Sequence, residues 1–223
     1  MDSQAPPGST GLTQNERRRQ SERALVDAAI AIVAESGVGA LTFEAIGEKS
    51  GYSRGLVTQR FGSKRGLIDA MIERLHGEMQ EMIAARGIET LPGLEAILSW
   101  TDLYLREVFH NERLQTYFKL LAASVADDTD LRSAFAGEHE RVKAVLAHLI
   151  QKGQAGGSIR GEVDIDAVAT LIGSLQIGIS TQRLVDPETS FEPLLAAVMD
   201  SLRQTLARNG TPVPVPGKDG RRS

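Results

Sequence analysis

Basic and hydroxyl side chains are concentrated in the segment Leu41–Arg65, LTFEAIGEKSGYSRGLVTQRFGSKR. Residues 49–65 contain five basic side chains and no acidic one. Thr42, Ser53 and Ser63 each stand directly before a predicted helix, and backbone N–H groups at helix N-termini can bind phosphate. Together these residue types predict contacts with a polyanion such as a nucleic acid.

Two short helices are predicted to position these side chains. The first runs from about 43 to 50, and the second, capped by Ser53, ends near Phe61, with the turn at Gly51-Tyr52. A longer helix precedes the pair at about 20–36, and another follows at about 64–85. The apolar residues that can hold the short helices together are Ala45, Ile46, Leu56 and Val57. This arrangement is the helix-turn-helix plan, in which the second short helix enters a major groove.

The second short helix has a polar outer side. Its residues expected to face outward are Ser53, Arg54, Thr58, Gln59 and Arg60. Among them Gln59 is best suited to read a base, because its amide can both donate to and accept from adenine. Each feature also has an ordinary explanation, since glycines can simply end helices and arginines can be solvated surface. Their combination in one segment favours DNA binding.

A longer stretch, VAESGVGALTFEAIGEKSGYSRGLVTQRFGSKRGLIDAMI, resembles the TetR family of bacterial transcriptional regulators, and the resemblance covers about residues 17–77. It implies a three-helix DNA-binding domain at 17–77, a fourth linking helix, and a helical effector-binding and dimerisation domain at 78–209. It also implies phosphate contacts by Thr42 and Lys64. The predicted DNA-binding residues are therefore Thr42, Ser53, Arg54, Gly55, Thr58, Gln59, Arg60 and Lys64.

Two of these residues depart from the family pattern. Most members have an aromatic residue at the position of Thr58, and an aromatic residue or histidine at the position of Arg60. Here a phenol is lost and a guanidinium is gained, so the contacts made at these two positions are expected to differ from those of the family.

Charge is distributed unevenly along the 223 residues. The net charge is −4, yet residues 1–65 contain nine basic and seven acidic side chains, against sixteen and twenty-two in the remainder. A basic N-terminal segment on an acidic remainder is typical of a nucleic-acid binder with a separate second function. The chain has no cysteine, which excludes disulfides and a thiol nucleophile, and its four histidines do not form a zinc-binding pattern. We expect no metal, no cofactor and no enzymatic activity.

The rest of the chain is predicted to be helical as well. Alternating strand patterns are absent, and Ala, Leu and Glu are common. Five further helices are predicted at about 93–109, 112–126, 130–152, 164–185 and 190–208, which gives an all-α protein of about nine helices. Residues 1–16 and 210–223, rich in Pro, Gly and polar residues, are predicted to be disordered tails.

The last two helices have apolar faces that could pair across a two-fold axis. The expected interface residues are Leu171, Leu175 and Ile179 on the first and Leu195, Val198 and Leu202 on the second. Two such pairs would form a four-helix bundle, which is an isologous dimer interface. The alternative is that these faces close the core of a single chain.

Aromatic residues are scarce, yet several are grouped in the middle of the chain. With two methionines of the preceding helix they could line a binding site for a small, mostly apolar molecule. The candidate ligand-binding residues are Met79, Met82, Trp100, Tyr104, Tyr117 and Phe118. The alternative is an ordinary hydrophobic core.

The resulting hypothesis is a homodimeric regulator, a repressor that binds a palindromic operator in double-stranded DNA and is released by a small-molecule effector. One alternative is an all-helical small-molecule-binding protein or enzyme with an incidental helix-turn-helix. Another is a non-specific architectural DNA binder, although the five basic residues of 49–65 are few for that function. No signal-peptide pattern or apolar run of about 18 residues is present, so we expect a cytoplasmic protein with no membrane partner.

Overall fold

The computed structural model describes residues 13–126 and 131–208. Within them the chain forms nine α-helices and no β-strand, apart from a single antiparallel bridge between Ile159 and Ala207. The helices are α1 Gln14–Ser36, α2 Phe43–Ser50, α3 Arg54–Phe61, α4 Lys64–Ala85, α5 Gly93–His110, α6 Glu112–Ala126, α7 Leu131–Ala155, α8 Ile165–Val185 and α9 Phe191–Leu206. The predicted all-α class is confirmed.

Helix α1 begins earlier than predicted. A capping box starts it: the Glu16 backbone N–H donates to Thr13 Oγ1 at 3.3 Å, and the Thr13 backbone N–H donates to the Glu16 carboxylate at 2.6 Å. These hydrogen bonds lower the pKa of Glu16. The prediction of a tail at 1–16 is therefore wrong for residues 14–16. Thr13 and Glu16 accept hydrogen bonds from backbone N–H groups that would otherwise lack partners at the start of the helix. The remainder of that tail and the tail at 210–223 lie outside the described residues.

Helices α1–α3, called the head below, contain the predicted helix-turn-helix. Ile46 of α2 and Val57 of α3 are fully buried in the shared core. Gly51 ends α2 with a φ of 76°, a left-handed conformation that favours glycine. A Cβ on Gly47 would lie 2.8 Å from the carbonyl oxygen of Tyr52, so this glycine lets the turn approach α2 closely. These contacts fix the angle at which α3 is presented.

Helix α4 joins the head to helices α5–α9, called the body below. It is continuous over Lys64–Ala85, so the domain boundary predicted after residue 77 falls inside one helix. Its buried side chains include Leu67 and Met71 near the head and Met79 and Ile83 near the body. Helix α1 also packs directly against α6, which gives the head a second contact with the body.

Helix α5 lies at the centre of the body and packs against α6, α7, α8 and α9. Its apolar residues recur on almost every turn, and the buried ones include Ile97, Trp100, Leu103 and Phe109. Helix α8 packs mainly on α7 and α5. Across the described residues, no helix is both long and apolar enough to span a membrane.

Candidate nucleic-acid interface and internal cavity

Helix α3 presents a polar surface at one end of the molecule. Ser53 caps it, because its Oγ accepts the backbone N–H of Leu56 at 3.2 Å. Val57 faces the core, and the exposed residues on the other sides include Arg54, Thr58 and Gln59. Gly55 is exposed too, and because it has no side chain the backbone of α3 can approach a DNA groove closely at this position. This surface has the shape and chemistry that major-groove reading requires.

The helix starts on either side of α3 are also capped and exposed. Thr42 Oγ1 accepts the backbone N–H of Ala45 at 3.1 Å, and Ser63 Oγ accepts that of Gly66 at 3.1 Å. Lys64, the first residue of α4, is exposed. Thr42, Ser53 and Lys64 therefore stand at three helix N-termini, the positions predicted for phosphate contacts.

The basic segment 49–65 is less positive in space than in sequence. Lys49 pairs with Glu35 of α1 at 2.8 Å, and Arg54 pairs with Glu44 of α2 at 2.8 Å. Arg65 pairs with Asp69 one turn along α4 at 2.9 Å. Acidic partners come from outside the segment, which sequence order alone did not indicate.

Arg60 does not face outward as predicted. Its Nη2 atom donates to Ser21 Oγ of α1 at 3.4 Å, and its Nε atom is buried without a hydrogen-bond partner among the described residues. The side chain is half-buried between α3 and α1 because it stands on the last turn of α3, which turns back toward the start of α1. A base contact by Arg60 would require this side chain to leave α1.

A cavity of about 340 Å³ lies among α4, α5, α6, α7 and α8 and is partly open to solvent. Five of the six predicted ligand-binding residues line it: Met79, Trp100, Tyr104, Tyr117 and Phe118. Met82 does not, because it lies one turn beyond the cavity on α4 and packs into the general core. The aromatic side chains are grouped as predicted, with Tyr104 and Phe118 in edge-to-face contact at 6.2 Å between ring centroids.

Polar side chains that sequence reasoning missed also line the cavity. They are His76, Gln80, Glu138, His139, Glu140, Lys143, Thr170, Ser174 and Gln176. One of them had a detectable pattern: Gln176 stands between Ile172 and Ile179 at helical spacing, on the buried side of α8. A lone polar residue on an apolar helix face is a candidate for a buried polar function.

Glu138 is the charged residue most deeply placed in the cavity wall. Its Oε1 atom lies against His76 Nδ1 of α4, and its Oε2 atom forms an ion pair with Arg141 Nη1 of α7 at 2.8 Å. Burial lowers the pKa of the neighbouring His139, so this imidazole is neutral near pH 7. Burial also raises the pKa of both Tyr104 and Tyr117, which keeps their phenols protonated.

Several contacts connect the head with the body near the cavity. Arg113 of α6 binds Glu78 of α4 at 2.8 Å and also pairs with Asp27 of α1. Arg65, at the start of α4, donates to Ser133 Oγ of α7 at 2.9 Å. Helix α4 is thus held by ionic and polar contacts along its length as well as by its apolar side chains.

The predicted dimer residues divide into two groups. Leu195, Val198 and Leu202 of α9 are buried inside the chain itself, as is Ile179 of α8. These four residues belong to the core of the single chain, because the buried face of α9 packs on α5, and α8 packs on α7 and α5. Leu175 is half-buried, and Leu171 is 56% exposed. Val185, which was not predicted, is 76% exposed four turns along α8 from Leu171.

Two family models match the chain. Residues 25–71 match the model of bacterial regulatory proteins of the TetR family, and residues 95–207, just over half of the chain, match the C-terminal domain of BetI-type transcriptional repressors. A search of curated protein sequences finds no significant match.

Solved structures share the fold at low sequence identity. A TetR transcriptional regulator from Chloroflexus aurantiacus has a TM-score of 0.71 and 20% identity, covering 86% of this chain and 98% of its own. Reduced NemR from E. coli has a TM-score of 0.72 and 19% identity, covering 86% and 100%. A protein from Saccharomonospora viridis described as a transcriptional regulator, in complex with choline, has a TM-score of 0.71 and 16% identity, covering 85% and 99%. With both family models matched over their respective regions, this chain is a transcriptional regulator that belongs to the TetR family.

Proposed function

We propose that the protein is a homodimeric repressor that binds a palindromic operator and releases it when a small, mostly apolar ligand enters the cavity. The observation that supports this most directly is the path of α4. This single helix begins with Lys64 beside the α3 surface and lines the cavity with Leu75, His76 and Met79. A ligand that displaces those residues acts on the helix that bears the head.

The proposed DNA contacts are the eight predicted residues, with different tasks. Gln59 and Thr58 read bases from the exposed side of α3, Arg54 sits beside them, and Gly55 permits close approach of the backbone. Thr42, Ser53 and Lys64 hold phosphates at the helix N-termini. Arg60 supports α3 through Ser21 in the free protein and reaches DNA only by leaving that contact.

We assign the dimer interface to the outer faces of α8 and α9. The exposed residues there are mostly small or apolar: Leu171, Ser174, Gly178 and Val185 on α8, and Ala196, Ala197 and Ser201 on α9. Small residues let helices of two chains approach closely, and two such pairs form a four-helix bundle. A two-fold dimer would set both α3 helices against half-sites about 34–36 Å apart.

Ligand release follows from linkage between the two sites. A ligand shifts the equilibrium only if it binds the DNA-free conformation more tightly than the DNA-bound one. Operator DNA must then weaken ligand binding by the same factor, ordinarily about 5–150-fold. The C-terminal match to BetI-type repressors supports repression as the direction of regulation.

Selection of bound sites from random duplex DNA tests the proposal. We expect one palindromic sequence to be enriched, with a preference over random duplex that persists at raised salt. An incidental helix-turn-helix would enrich nothing, and an architectural binder would bind without sequence preference. Titration of the selected duplex in the presence of compounds found by thermal shift then tests release; equal DNA affinity with and without a bound compound would contradict it.

The choline complex of the Saccharomonospora viridis protein raises a second ligand class, a small cation. In this chain the aromatic lining and Glu138 would favour a cation. Against it, the carboxylate of Glu138 already has two basic partners, His76 and Arg141.

A further inference from the structure

Two N–H groups in the cavity wall have no hydrogen-bond partner among the described residues. Glu138 Oε1, which lies against His76 Nδ1, and His139 Nε2 of the same wall also have no hydrogen bond there. Trp100 of α5 is 3% exposed and Gln176 of α8 is 1% exposed, and both side chains line the cavity. Neither Trp100 Nε1 nor Gln176 Nε2 has a partner among the described residues. A buried donor without a partner destabilises the folded protein, so two of them on residues that line one cavity call for an explanation.

The tyrosine hydroxyls are further donors in the cavity wall. Tyr104 and Tyr117 both line the cavity, and their rings are packed among other aromatic side chains. Burial raises the pKa of each phenol, so each keeps its proton. The cavity wall therefore offers up to four neutral O–H or N–H donors.

Charge in the wall disfavours an ionic ligand. Both oxygens of Glu138 lie against basic groups, Oε1 against His76 Nδ1 and Oε2 against Arg141 Nη1, and these groups oppose a cation at the carboxylate. Its own negative charge would repel a ligand carboxylate placed in the same cavity. A cation would also leave the donors of Trp100 and Gln176 without an acceptor.

We propose that the cavity binds an uncharged, largely apolar molecule whose carbonyl oxygen accepts hydrogen bonds from Trp100 Nε1–H and Gln176 Nε2–H. A carbonyl oxygen has two lone pairs and can accept both bonds. The aromatic rings and Met79 enclose the apolar part of the molecule. This inference rests on the proposed function only where it treats the cavity as the effector site.

Four probes of similar shape test the ligand class by isothermal titration calorimetry of the full chain without DNA. They are 4-phenylbutan-2-one, the hydrocarbon isopentylbenzene, the anion 3-phenylpropionate and the cation phenethyltrimethylammonium. We expect the ketone to bind most tightly, about tenfold or more above the hydrocarbon, since loss of one buried hydrogen bond leaves a donor unpaired. Equal binding of the hydrocarbon, tighter binding of either ion, or no binding of any probe would overturn the proposal.

Variants then assign the donors. Trp100→Phe removes the indole N–H and keeps an aromatic ring, and Gln176→Leu removes the amide. Each is expected to reduce the ratio of ketone to hydrocarbon affinity by severalfold. Phe118→Leu is the matched control, because it changes the apolar lining and should weaken both probes while leaving their ratio unchanged. Unchanged ratios in both donor variants, with melting temperatures that show folded protein, would refute the assignment.

Failure of this inference and failure of the proposed function are separable. Ketone selectivity without any change in DNA affinity would support the ligand class and contradict release of the operator. Release of DNA by the ammonium probe and not by the ketone would support regulation through the cavity and refute the carbonyl ligand.

Discussion

The α3 surface and the internal cavity differ in how the chain assembles them. Every predicted DNA-contact residue lies between Thr42 and Lys64, and three helix caps and the turns between them present these residues. The cavity takes residues from α4, α5, α6, α7 and α8. A site formed by neighbours in sequence depends on local geometry, whereas a site formed by distant segments depends on the packing of the whole body.

The two sites also differ in how their polar groups are satisfied. Arg54, Thr58 and Gln59 are exposed: Arg54 pairs with Glu44, Thr58 Oγ1 donates to the Arg54 carbonyl oxygen, and water can bind the Gln59 amide until DNA replaces it. Trp100 Nε1 and Gln176 Nε2 are removed from water and have no hydrogen-bond partner in the part of the chain that the structure describes. The exposed polar groups of the α3 surface do not destabilise the DNA-free protein. The unpaired donors of the cavity wall lower the stability of the empty protein until a ligand supplies the missing acceptor.

The largest expected effect comes from a charge placed in the core at α9, compared with the same charge on the exposed face of α8. Val198→Arg places a charge in the core and should unfold the body, with a loss of more than about 4 kcal/mol in unfolding free energy. Leu171→Arg, on the exposed face of α8, should leave the fold intact and yield monomers that no longer bind the operator. Circular dichroism with denaturant and light scattering after size exclusion measure both. A folded Leu171→Arg dimer would move the interface elsewhere.

A smaller loss is expected from Gly47→Ala, which tests whether the head depends on local geometry. The new methyl group would lie 2.8 Å from Tyr52 O and 3.1 Å from the Arg54 backbone nitrogen, so the turn must shift. We expect about 1–3 kcal/mol of destabilisation and weaker operator binding. Gly77→Ala in α4 is the control, because its methyl group meets nothing within 4 Å and should stabilise the helix by about 0.5–1 kcal/mol. Equal stabilities of the two variants would contradict the close approach.

Specific and general DNA contacts within α3 and α4 can be separated next. Gln59→Ala should relax preference at one position per half-site by roughly 1–3 kcal/mol, visible as a change in the selected sequence. An unaltered selected sequence would remove Gln59 from base reading.

Lys64→Ala should weaken binding to all duplexes alike and reduce the salt slope by about one. Arg54→Ala should reduce the slope less, because Arg54 is already paired with Glu44 in the free protein. Salt titrations with operator and random duplex measure the salt slope of each variant. Equal slopes for Lys64→Ala and Arg54→Ala would show that the ion pair of Arg54 with Glu44 opens completely on DNA.

The smallest effect concerns pH and the cavity wall. Burial lowers the pKa of folded His139 below the ordinary value of about 6.5, against the opposing charges of Glu138 and Glu140. The unfolded chain therefore binds the proton first, and unfolding free energy falls as pH drops below about 6.5. His139→Gln should lose less stability between pH 7 and 5 than the parent protein. His148→Gln, at an exposed position on α7, serves as the control and should follow the parent.

The helices and the α3 surface could be predicted from sequence because caps, glycines and apolar spacing are local. Prediction failed where partners come from elsewhere. Arg60 turns onto Ser21, thirty-nine positions away in the chain, and the apolar face of α9 closes on α5. The aromatic lining of the cavity could be predicted because the few aromatic residues are grouped in the sequence. Glu138 and His139 could not, because in the sequence they resemble the other charged and polar residues of the solvent-exposed face of α7.

The position of Trp100 has a practical consequence. It is the single tryptophan of the chain and it lies in the cavity wall, so ultraviolet fluorescence excited selectively in indole comes from that site alone. A ligand that accepts a hydrogen bond from Nε1 would change the polarity around the excited indole and shift its emission, without any label. The protein thus has its own optical reporter of occupancy, which can follow effector and DNA in one cuvette and time their arrival and departure.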